Sequence, residues 1–316
     1  MSWPYTRKLK RVKDLNLNLY HLHSPFSLGL LGLFLAKKNK VPVIMTYHTL
    51  WKEYGPRYVP LPKKAMEAFA INMSKRFCNQ LDLVIAPSKA MKEEVQSYHL
   101  KTDIEIIPTG FSIEQWNNNL DLDLRSKYQI PKDQKILMFV GRIGSEKNIS
   151  LLIEAYSKII SKNPKSHLII IGEGPDQKNC TSRVEELQMN SHVTFTGKLS
   201  REEVLTALKQ ADIFAFPSVT ETQGLVVLEA LASGIPTVAI NKMGSIDYLE
   251  DSKGGILTEH SVDAFAQGMH ELLNHPNLAQ VKADALAKAS LYTMEAVTDK
   301  LLYTYEKVYS ENKARL

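Results

Sequence analysis

The 316-residue sequence contains few cysteines, little net charge and no long apolar run. Its two cysteines, Cys78 and Cys180, lie far apart in the sequence and show no spacing of a metal site, which excludes a disulfide framework and a structural zinc site. The net charge of +5 arises from Lys and Arg residues scattered among acidic ones, whereas nucleic-acid-binding proteins cluster their positive charge. We therefore expect two buried thiols, a reducing compartment and no nucleic-acid partner.

The most apolar stretch, Leu28–Ala36, is far shorter than the ~20 residues that a transmembrane helix requires. We expect it to form a buried core helix. Residues Met1–Leu15 are polar and basic, so no secretory signal is visible. These absences predict a cytoplasmic protein, and the mild positive charge is also compatible with a peripheral position on the inner face of the cell membrane.

Short apolar runs alternate with longer amphipathic stretches along most of the chain. This alternation is typical of βαβ units, in which helices cover both faces of a parallel sheet. We therefore predict an α/β fold with two Rossmann-like domains. Strands are predicted at Asn18–Leu22, Val43–Thr46, Leu83–Ala86, Ile104–Ile107, Ile136–Val140, His167–Ile171, Val193–Thr196, Ile213–Phe216 and Thr237–Ile240. Helices are predicted at Lys63–Gln80, Lys89–Tyr98, Ser150–Lys162, Cys180–Met189, Arg201–Gln210, Val226–Ala232 and Val262–Leu273, with a closing helical region at Ala279–Leu316.

A polar stretch, Asn117–Asp123, separates two such alternating series and marks the expected domain boundary. It predicts an N-terminal domain at 1–120, a C-terminal domain at 121–290, and a helical segment at 291–316 that could pack back on the N-terminal domain. The N-terminal series opens with a predicted helix, Tyr5–Val12, where a doubly wound domain normally begins with a strand and a Gly-rich turn. We therefore expect this domain to lack its first strand or strands.

Ligands of open parallel sheets bind beyond the carboxyl ends of the strands. After the predicted strand Ile136–Val140, the segment Gly141–Asn148 combines two glycines with Arg142 and Lys147, just before a helix. Close backbone approach, fixed positive charge and free helix N–H groups suit a diphosphate, although a solvated basic turn explains the same residues equally well. Turns that could pass close to a planar base follow the next two strands, at Gly172, Gly174 and Lys198.

The most informative segment follows the predicted strand Ile213–Phe216 and contains Glu221 and Glu229. Gly224 precedes the apolar start of a helix, so Glu221 is expected in the loop and Glu229 about one turn inside the helix. Glu229 stands between apolar neighbours, and a buried carboxylate requires hydrogen-bond partners, which a ribose diol would provide. The alternative is a helix-capping Glu221 with a structural ion pair at Glu229.

Taken together, these motifs resemble the retaining glycosyltransferases of the double-Rossmann, or GT-B, architecture. That family includes bacterial glycolipid enzymes such as diacylglycerol glucosyltransferases and phosphatidylinositol mannosyltransferases. The resemblance covers nearly the whole chain from Leu17 onward, and Gln223 is similar to a variant of the lipid-directed members. Its motifs are Val140–Asn148, Gly172–Pro175 and Glu221–Ala230.

The resemblance implies a donor site for a nucleotide sugar in the C-terminal domain. Arg142 and Lys147 would hold the diphosphate and stabilise the charge that develops on it. Glu229 would bind the ribose hydroxyls, and Glu221 would hold the sugar ring together with the backbone at 222–225. The family requires no cofactor and no divalent metal, and the UDP-sugar is a substrate. The predicted donor site consists of Gly141, Arg142, Lys147, Gly172, Gly174, Lys198, Glu221, Thr222, Gln223, Gly224, Leu225, Val226 and Glu229.

In the N-terminal half, His23 and His48 follow the first two predicted strands, in segments that resemble the family's H-x-H-x-P-F and Y-H-T motifs. The resemblance implies that His48 contacts the sugar or the acceptor hydroxyl, with His23 and Tyr54 also on the acceptor side. Retention in this family is explained by front-face attack, in which the donor phosphate accepts the acceptor's proton. His48 would then orient the acceptor, and the expected catalytic residues are His48, Arg142, Lys147 and Glu221.

The predicted helix Lys63–Gln80 is a candidate contact with an anionic membrane surface. Core packing explains its apolar face equally well. Basic residues border that face, which consists of Met66, Phe69, Ala70, Met73 and Phe77.

From the residues and the resemblance we predict a retaining, metal-independent hexosyltransferase that moves glucose from UDP-glucose to a membrane glycolipid acceptor such as diacylglycerol. A glycosyltransferase of lipopolysaccharide or polysaccharide assembly is an alternative, because the donor motifs do not specify the acceptor. A degenerate, non-catalytic nucleotide-sugar-binding protein is another alternative, because the expected first strand and Gly-rich turn are missing. A nicotinamide dehydrogenase is disfavoured, since no G-x-G-x-x-G follows any predicted strand.

Overall fold

The computed structural model describes residues 15–53, 62–112, 114 and 120–315 of the chain. Contacts within the chain divide it into two compact units, the first formed by Met1–Pro108 with Thr298–Leu316 and the second by Thr109–Val297. Each unit is built on a parallel β-sheet, so the predicted α/β fold with two Rossmann-like domains is confirmed. The predicted helix Tyr5–Val12 and the candidate residue Tyr54 lie outside the described residues, as do residues 117–119 of the expected boundary.

In the described part of the first unit, four parallel strands are ordered β1-β2-β3-β4. Helices connect consecutive strands, as the βαβ pattern predicts. The strands are β1 (Tyr20–Leu22), β2 (Val43–Thr46), β3 (Leu83–Ala86) and β4 (Ile104–Ile106). The helices are α1 (Ser27–Asn39), α2 (Lys63–Cys78) and α3 (Lys89–Gln96).

The second unit contains six parallel strands in the order β10-β9-β8-β5-β6-β7 across its described residues. The chain therefore reverses direction across the sheet between β5 and β8, which is the switch point where such sheets bind ligands. The strands are β5 (Lys135–Val140), β6 (Ser166–Ile171), β7 (Val193–Gly197), β8 (Ile213–Phe216), β9 (Thr237–Ile240) and β10 (Gly255–Thr258). The helices are α4 (Leu124–Lys127), α5 (Ile149–Ile159), α6 (Gln177–Glu186), α7 (Arg201–Leu208), α8 (Leu225–Ala232), α9 (Ile246–Leu249), α10 (Val262–Leu273), α11 (Leu278–Ser290) and α12 (Met294–Arg315), whose residues from Thr298 onward belong to the first unit.

The strands are buried along their length because helices cover the parallel sheets. All six residues of β6 are buried, as are the central four of β5. Such strands are continuous apolar runs, which is why the sequence reveals them clearly. Their carboxyl ends carry the loops that hold the candidate site.

The predicted buried core helix at Leu28–Ala36 is wrong for one face of α1. Leu28, Leu30 and Phe34 are exposed to solvent. A run that is apolar on every side does not reveal which face packs on the sheet, so its exposure is set by tertiary packing. The buried residues of α1 are Gly29, Gly32, Leu33, Leu35 and Ala36.

The closing helical region and the last strand also differ from the prediction. The region from Ala279 onward consists of two helices, α11 and α12, separated by a turn in which Phe111 pairs with the backbone beside Thr293. Strand β10 is absent from the sequence prediction, because its short apolar run directly follows Gly254 and reads as a turn. None of the described helices combines the length and apolar composition needed to cross a bilayer. Both cysteines are free and buried, as predicted.

Candidate active site

The loop after β5 holds Arg142 and Lys147 in a compact turn. A 3₁₀ helix, Ser145–Lys147, is followed by Asn148 in a left-handed conformation with a φ of 51°. The side-chain amide of Asn148 donates to the Pro217 carbonyl oxygen over 3.1 Å, which ties this loop to the one after β8. Within the loop, the Arg142 guanidinium forms an ion pair with the buried carboxylate of Glu146, a partner that the sequence analysis did not foresee.

Two of the predicted glycines allow the loops after β5 and β6 to pack against each other. Gly172 has a φ of +137°, and a Cβ atom there would lie 1.9 Å from the Gly141 carbonyl oxygen. A Cβ atom on Gly174 would lie 2.1 Å from the Ile143 carbonyl oxygen. The Ile143 amide donates to the Glu173 carbonyl over 3.0 Å, which locks the two loops together. Loop packing thus explains both glycines, and their contact with a nucleotide base stays a prediction.

Lys147 and Glu221, which come from the loops after β5 and β8, are in direct contact. Nζ of Lys147 pairs with Oε1 of Glu221, and the hydroxyl of Ser218 lies 3.4 Å from the same oxygen. Both partners are mostly buried, with side-chain exposures of 15% and 23%. Burial lowers the pKa of the Lys147 ammonium, the Glu146 carboxylate opposes that shift and Arg142 adds to it. The residue predicted to hold the diphosphate, Lys147, therefore lies directly against the residue predicted to hold the sugar, Glu221.

Glu229 on α8 is held by an arginine that the sequence analysis missed. Nη1 of Arg201 lies 2.6 Å from Oε1 of Glu229, whose side chain is 14% exposed. Arg201 is the first residue of α7, and a capping box between Ser200 and Glu203 fixes that end of the helix. Burial raises the pKa of the Glu229 carboxyl, while the charge and hydrogen bond of Arg201 lower it. The ion pair given above as the alternative is present, and the ribose contact stays a prediction.

The loop before α8 is fixed at Gly224 and Gly244. Gly224 adopts a φ of +75° immediately before the helix, and the Gly244 amide donates to the Glu221 carbonyl over 2.8 Å. The first amides of α8, at Leu225 and Val226, have no acceptor within the helix and lie at the positive end of its dipole. Thr222 lies between these fixed points. This backbone is suited to hold sugar hydroxyls or phosphate oxygens.

The side chain of Gln223 clamps the backbone at the start of the second unit. Its Oε1 accepts from the Thr109 amide over 2.8 Å, and its Nε2 donates to the Thr109 carbonyl over 2.9 Å. Gln223 is buried, and both its side-chain oxygen and its side-chain nitrogen are hydrogen-bonded to Thr109. The clamp holds the backbone of the segment to which the sequence analysis assigns the sugar.

Lys198 is exposed in the loop after β7. Its backbone amide donates to Oε1 of Glu173 over 3.3 Å, and the preceding Gly197 has a φ of +72°. This contact brings the loops after β6 and β7 together. The predicted donor residues thus come from four loops at one edge of the second sheet.

In the first unit, His21, His23 and His48 form a row of stacked rings. The ring centroids are 4.4 Å apart for His21 and His23, and 5.2 Å apart for His23 and His48. Nδ1 of His23 and Nε2 of His48 lie 2.9 Å apart, so one nitrogen donates to the other. The structure therefore brings the two predicted acceptor-side histidines together at the ends of β1 and β2.

His21 anchors this row through both ring nitrogens. Nδ1 lies 2.6 Å from the hydroxyl of Tyr305 on α12, and Nε2 lies 2.7 Å from the hydroxyl of Thr46. This role is not apparent from the sequence, because Tyr305 is remote from His21 along the chain and belongs to no local motif. The H-x-H spacing was the one available signal, since alternate residues of a strand share one face.

Two histidines of this row have depressed pKa values. Burial lowers the pKa of His21 to about 4, and the charges of His23 and His48 add to the shift. Burial, followed by the charge of His23, lowers the pKa of His48. A neutral imidazole presents one donor and one acceptor nitrogen, so His48 is suited to orient a hydroxyl group.

Potential metal ligands are dispersed over the described parts of both units. Among those residues, no group of three or more His, Cys, Asp and Glu side chains is arranged to hold a metal ion. Arg142, Lys147 and Arg201 carry positive charge in the second unit, and each is paired with a carboxylate.

Family models match both halves of the chain. The model described as glycosyl transferases group 1 matches residues 121–288, which is more than half of the chain. The chain belongs to the group 1 glycosyl transferases. A second model, glycosyltransferase family 4, matches residues 1–115. The resemblance to GT-B glycosyltransferases that the motifs indicate is therefore confirmed.

Relatives of this group 1 chain include two alpha-monoglucosyldiacylglycerol synthases. The one from Streptococcus pneumoniae is 30% identical over 280 residues, which cover 87% of the chain but 63% of that protein. The one from Acholeplasma laidlawii is 27% identical over 325 residues, which cover 99% of the chain and 80% of that protein. The chain thus spans less than two thirds of the pneumococcal relative.

Solved structures show the same architecture. HepE from Anabaena, determined in complex with UDP and glucose, matches with a TM-score of 0.78 at 19% identity over 95% of this chain and 80% of that one. Sucrose-phosphate synthase from Thermosynechococcus elongatus matches with a TM-score of 0.79 at 21% identity over 96% of this chain and 77% of that one. At these identities the likeness establishes the fold alone.

Proposed function

We propose that this protein is a retaining hexosyltransferase that moves glucose from UDP-glucose to diacylglycerol or a related membrane glycolipid. The observation that carries the proposal is the contact of Lys147 with Glu221 beside Arg142, at the carboxyl ends of β5 and β8. It unites the residues expected to hold the diphosphate and the sugar. The names of the two alpha-monoglucosyldiacylglycerol synthases support the choice of glucose and of a lipid acceptor.

The donor diphosphate would bind at the cations of the β5 loop. A leaving nucleoside diphosphate gains negative charge as the glycosidic bond breaks, and fixed cations stabilise that charge more in the transition state than in the substrate. The diphosphate would compete with Glu221 for the ammonium of Lys147. Glu221 would then turn its carboxylate towards the sugar hydroxyls, so that binding of phosphate and positioning of sugar are coupled.

The proposed reaction is front-face displacement. The bond between C1 of the sugar and the phosphate oxygen breaks, and the acceptor hydroxyl oxygen bonds to C1 on the same face. The hydroxyl proton passes to the departing phosphate oxygen, so no separate base is required. Neutral His48, held by His23, would orient the acceptor hydroxyl. Because Arg142 and Lys147 supply the positive charge, we propose that transfer proceeds without cofactor or divalent metal. Chelation with EDTA tests this, and we expect it to leave the rate of transfer unchanged.

The surface of the first unit supports an acceptor that resides in a membrane. Helix α1 exposes Leu28 and Phe34, contains no acidic residue and ends with Lys37 and Lys38. Exposed apolar side chains beside lysines are typical of segments that lie on anionic lipid. We therefore propose peripheral binding to an anionic membrane. Flotation with vesicles that contain anionic lipid, but not with neutral ones, is the expected result, and added salt should weaken it.

The site assignment is tested by UDP release from UDP-glucose in the presence of diacylglycerol vesicles. Lys147→Ala is expected to lower the rate about a hundredfold or more, the scale measured for removal of one charge-stabilising group. Lys165→Ala is the matched control, because Lys165 forms a 2.9 Å surface pair with Asp133 elsewhere on the second unit. Equal rates for both variants would refute the assignment.

Two other results would replace the proposal with another function. Transfer to lipopolysaccharide or polysaccharide fragments, but to no lipid, identifies a transferase of cell-surface polymer assembly. Calorimetric binding of UDP without transfer to any acceptor identifies a non-catalytic nucleotide-sugar-binding protein.

A further inference from the structure

A groove of about 600 Å³ runs between α1 and α2 on the first unit. Its volume lies within the ~300–1,000 Å³ that ligand sites of proteins usually have. Leu30 and Phe69 are more than half exposed beside it, whereas Phe77 is buried. Its apolar lining consists of Phe26, Leu30, Phe69, Met73 and Phe77.

The loop that follows His23 forms part of the groove wall. Pro25 and Phe26, which line it, follow His23 directly through Ser24. The ring of Phe26 meets the ring of Trp51 edge to face at 4.6 Å. Trp51 follows His48 by three residues. The pair of Phe26 and Trp51 therefore links the groove to the loop after His23 and to the loop after His48.

The wall of the groove is built to hold its shape. A Cβ atom on Gly29 would lie 1.7 Å from the Ser24 carbonyl oxygen, so α1 is pressed directly onto the loop after His23. The Leu30 amide donates to the Phe26 carbonyl over 2.7 Å. Preformed apolar sites bind without a cost of ordering, so this geometry favours occupation.

Charge around the groove indicates what occupies it. None of the described residues that line it is acidic, and Arg76 and Gln80 stand on its α2 side. Nζ of Lys37 on α1 donates to Oε1 of Gln80 over 2.7 Å, which brings a second cation to the same end. An apolar groove that carries cations and is linked to the histidine loops by Phe26 and Trp51 fits the hydrocarbon chain of an amphiphile held at an anionic lipid surface.

We propose that this groove binds a hydrocarbon chain of the lipid acceptor and so places the acceptor's hydroxyl at His23 and His48. The identity of the acceptor rests on the proposed function. Each methylene that leaves water for an apolar site strengthens binding by up to about fourfold. KM for the acceptor therefore falls as its chain lengthens, until the groove is filled.

The kinetic test compares two phenylalanines of equal exposure. Phe69 and Phe34 are each 61% exposed on the first unit, and Phe69 lines the groove whereas Phe34 does not. With water-soluble acylglycerols of increasing chain length, Phe69→Ser is expected to reduce the fall in KM between the shortest and the longest chain at least fivefold. Phe34→Ser should keep the wild-type dependence. Equal effects of the two substitutions would overturn the proposal in favour of general adsorption to lipid.

A binding test separates this proposal from the transfer reaction. In a Trp3→Phe, Trp116→Phe background, Trp51 reports on the histidine side of the groove, and an acylglycerol brominated close to the ester end of its chain is expected to quench its fluorescence. Phe69→Ser should lose the quenching, whereas Lys147→Ala should keep it while losing transfer. If the wild type shows quenching but no transfer, the proposed function is refuted and the binding of a chain in the groove is not. If Phe69→Ser leaves the quenching intact, the binding of a chain in the groove is refuted.

Two further results guard this test. Leu30→Gln on the opposite helix should also lose the quenching, which replaces Phe69→Ser if that variant does not fold. A dimer that Phe69→Ser converts to a monomer, with quenching unchanged, would identify the groove as an interface between copies of this chain and overturn the proposal.

Discussion

Nη1 of Arg201 lies 2.6 Å from Oε1 of Glu229, so the start of α7 holds a carboxylate that projects from α8. Burial alone would favour the neutral form of that carboxyl, because a low-dielectric site penalises charge. The arginine opposes this effect and orients one carboxylate oxygen. An ionised carboxylate can accept a hydrogen bond on each of its oxygens, so in the proposed donor site Arg201 would act on a bound nucleotide through Glu229.

Replacing Arg201 with Ala is expected to weaken UDP binding about tenfold or more, because a hydrogen bond to a charged group contributes about 1.5–3 kcal/mol. The pKa of Glu229 then rises further, so the affinity of the variant falls off at a higher pH than that of the wild type as the solution is acidified. Calorimetry with UDP and 2′-deoxy-UDP between pH 5 and pH 8 measures both effects. The variant should also discriminate less between the two nucleotides.

The matched control for Arg201 is Arg183→Ala. Arg183 pairs with Glu154 and Glu186 on the surface of the same unit. It should keep the wild-type affinity and the wild-type discrimination. If Arg201→Ala lowers the affinity for both nucleotides by the same factor at every pH, the positioning role of Arg201 is wrong.

Replacing Glu221 with Gln is expected to change binding and turnover in opposite directions. The carboxylate no longer competes with the diphosphate for Lys147, so the affinity for UDP should rise several-fold. This is the scale expected from the free energy of one partly buried ion pair. The contact of Glu221 with the sugar is lost, so kcat with UDP-glucose should fall. Calorimetry with UDP and the rate of UDP release measure the two effects, and a lower affinity for UDP would contradict the proposed competition.

Replacing Gly172 with Ala is expected to lower the free energy of unfolding by about 1–3 kcal/mol more than Gly197→Ala does, because both have a positive φ but only at Gly172 does the new methyl group collide with a backbone carbonyl, that of Gly141. Gly197→Ala is the comparison. Its φ of +72° disfavours a side chain by about 1–2 kcal/mol, but a Cβ atom there meets only a flexible carboxylate, Glu173, at 3.3 Å. Urea unfolding of both variants checks the order, and equal losses would show that loop contact is not what requires Gly172.

Acidification from pH 7 to pH 4 is expected to destabilise the protein through His21. Its pKa is about 4 in the folded chain, below the value of about 6.5 in an unfolded one. The unfolded chain therefore takes up the proton first, and stability that is fully present above pH ~6.5 is lost as the pH falls to about 4. The loss from this one group is at most about 3 kcal/mol.

Urea unfolding at pH 7 and at pH 4.5 measures this loss. His21→Gln should reduce the difference between the two conditions, because the group that titrates is gone. His99→Asn, an exposed site of the same unit, should keep the wild-type difference. A His21→Gln variant with an unchanged pH dependence would show that the row of histidines does not govern acid stability.

The residues by themselves determined the two parallel sheets and the family. Continuous apolar runs such as His167–Ile171 reveal buried parallel strands, because both faces of the strand must be covered. The motifs around Arg142, Lys147, Glu221 and Glu229 resemble those of the family, and the family model that matches residues 121–288 confirms the resemblance.

Tertiary structure decided which charges meet and which apolar surface remains exposed. Arg201 reaches Glu229, and Tyr305 reaches His21, because the sheet and α12 bring distant segments together, and no local pattern encodes that distance. Likewise, α1 is apolar on every side, and the way it packs on the first sheet determines which face stays exposed. That packing leaves Phe34 in solvent and forms the groove beside α2. Local sequence sets which elements form and which chemistry they carry, whereas partners and exposure depend on contacts between elements.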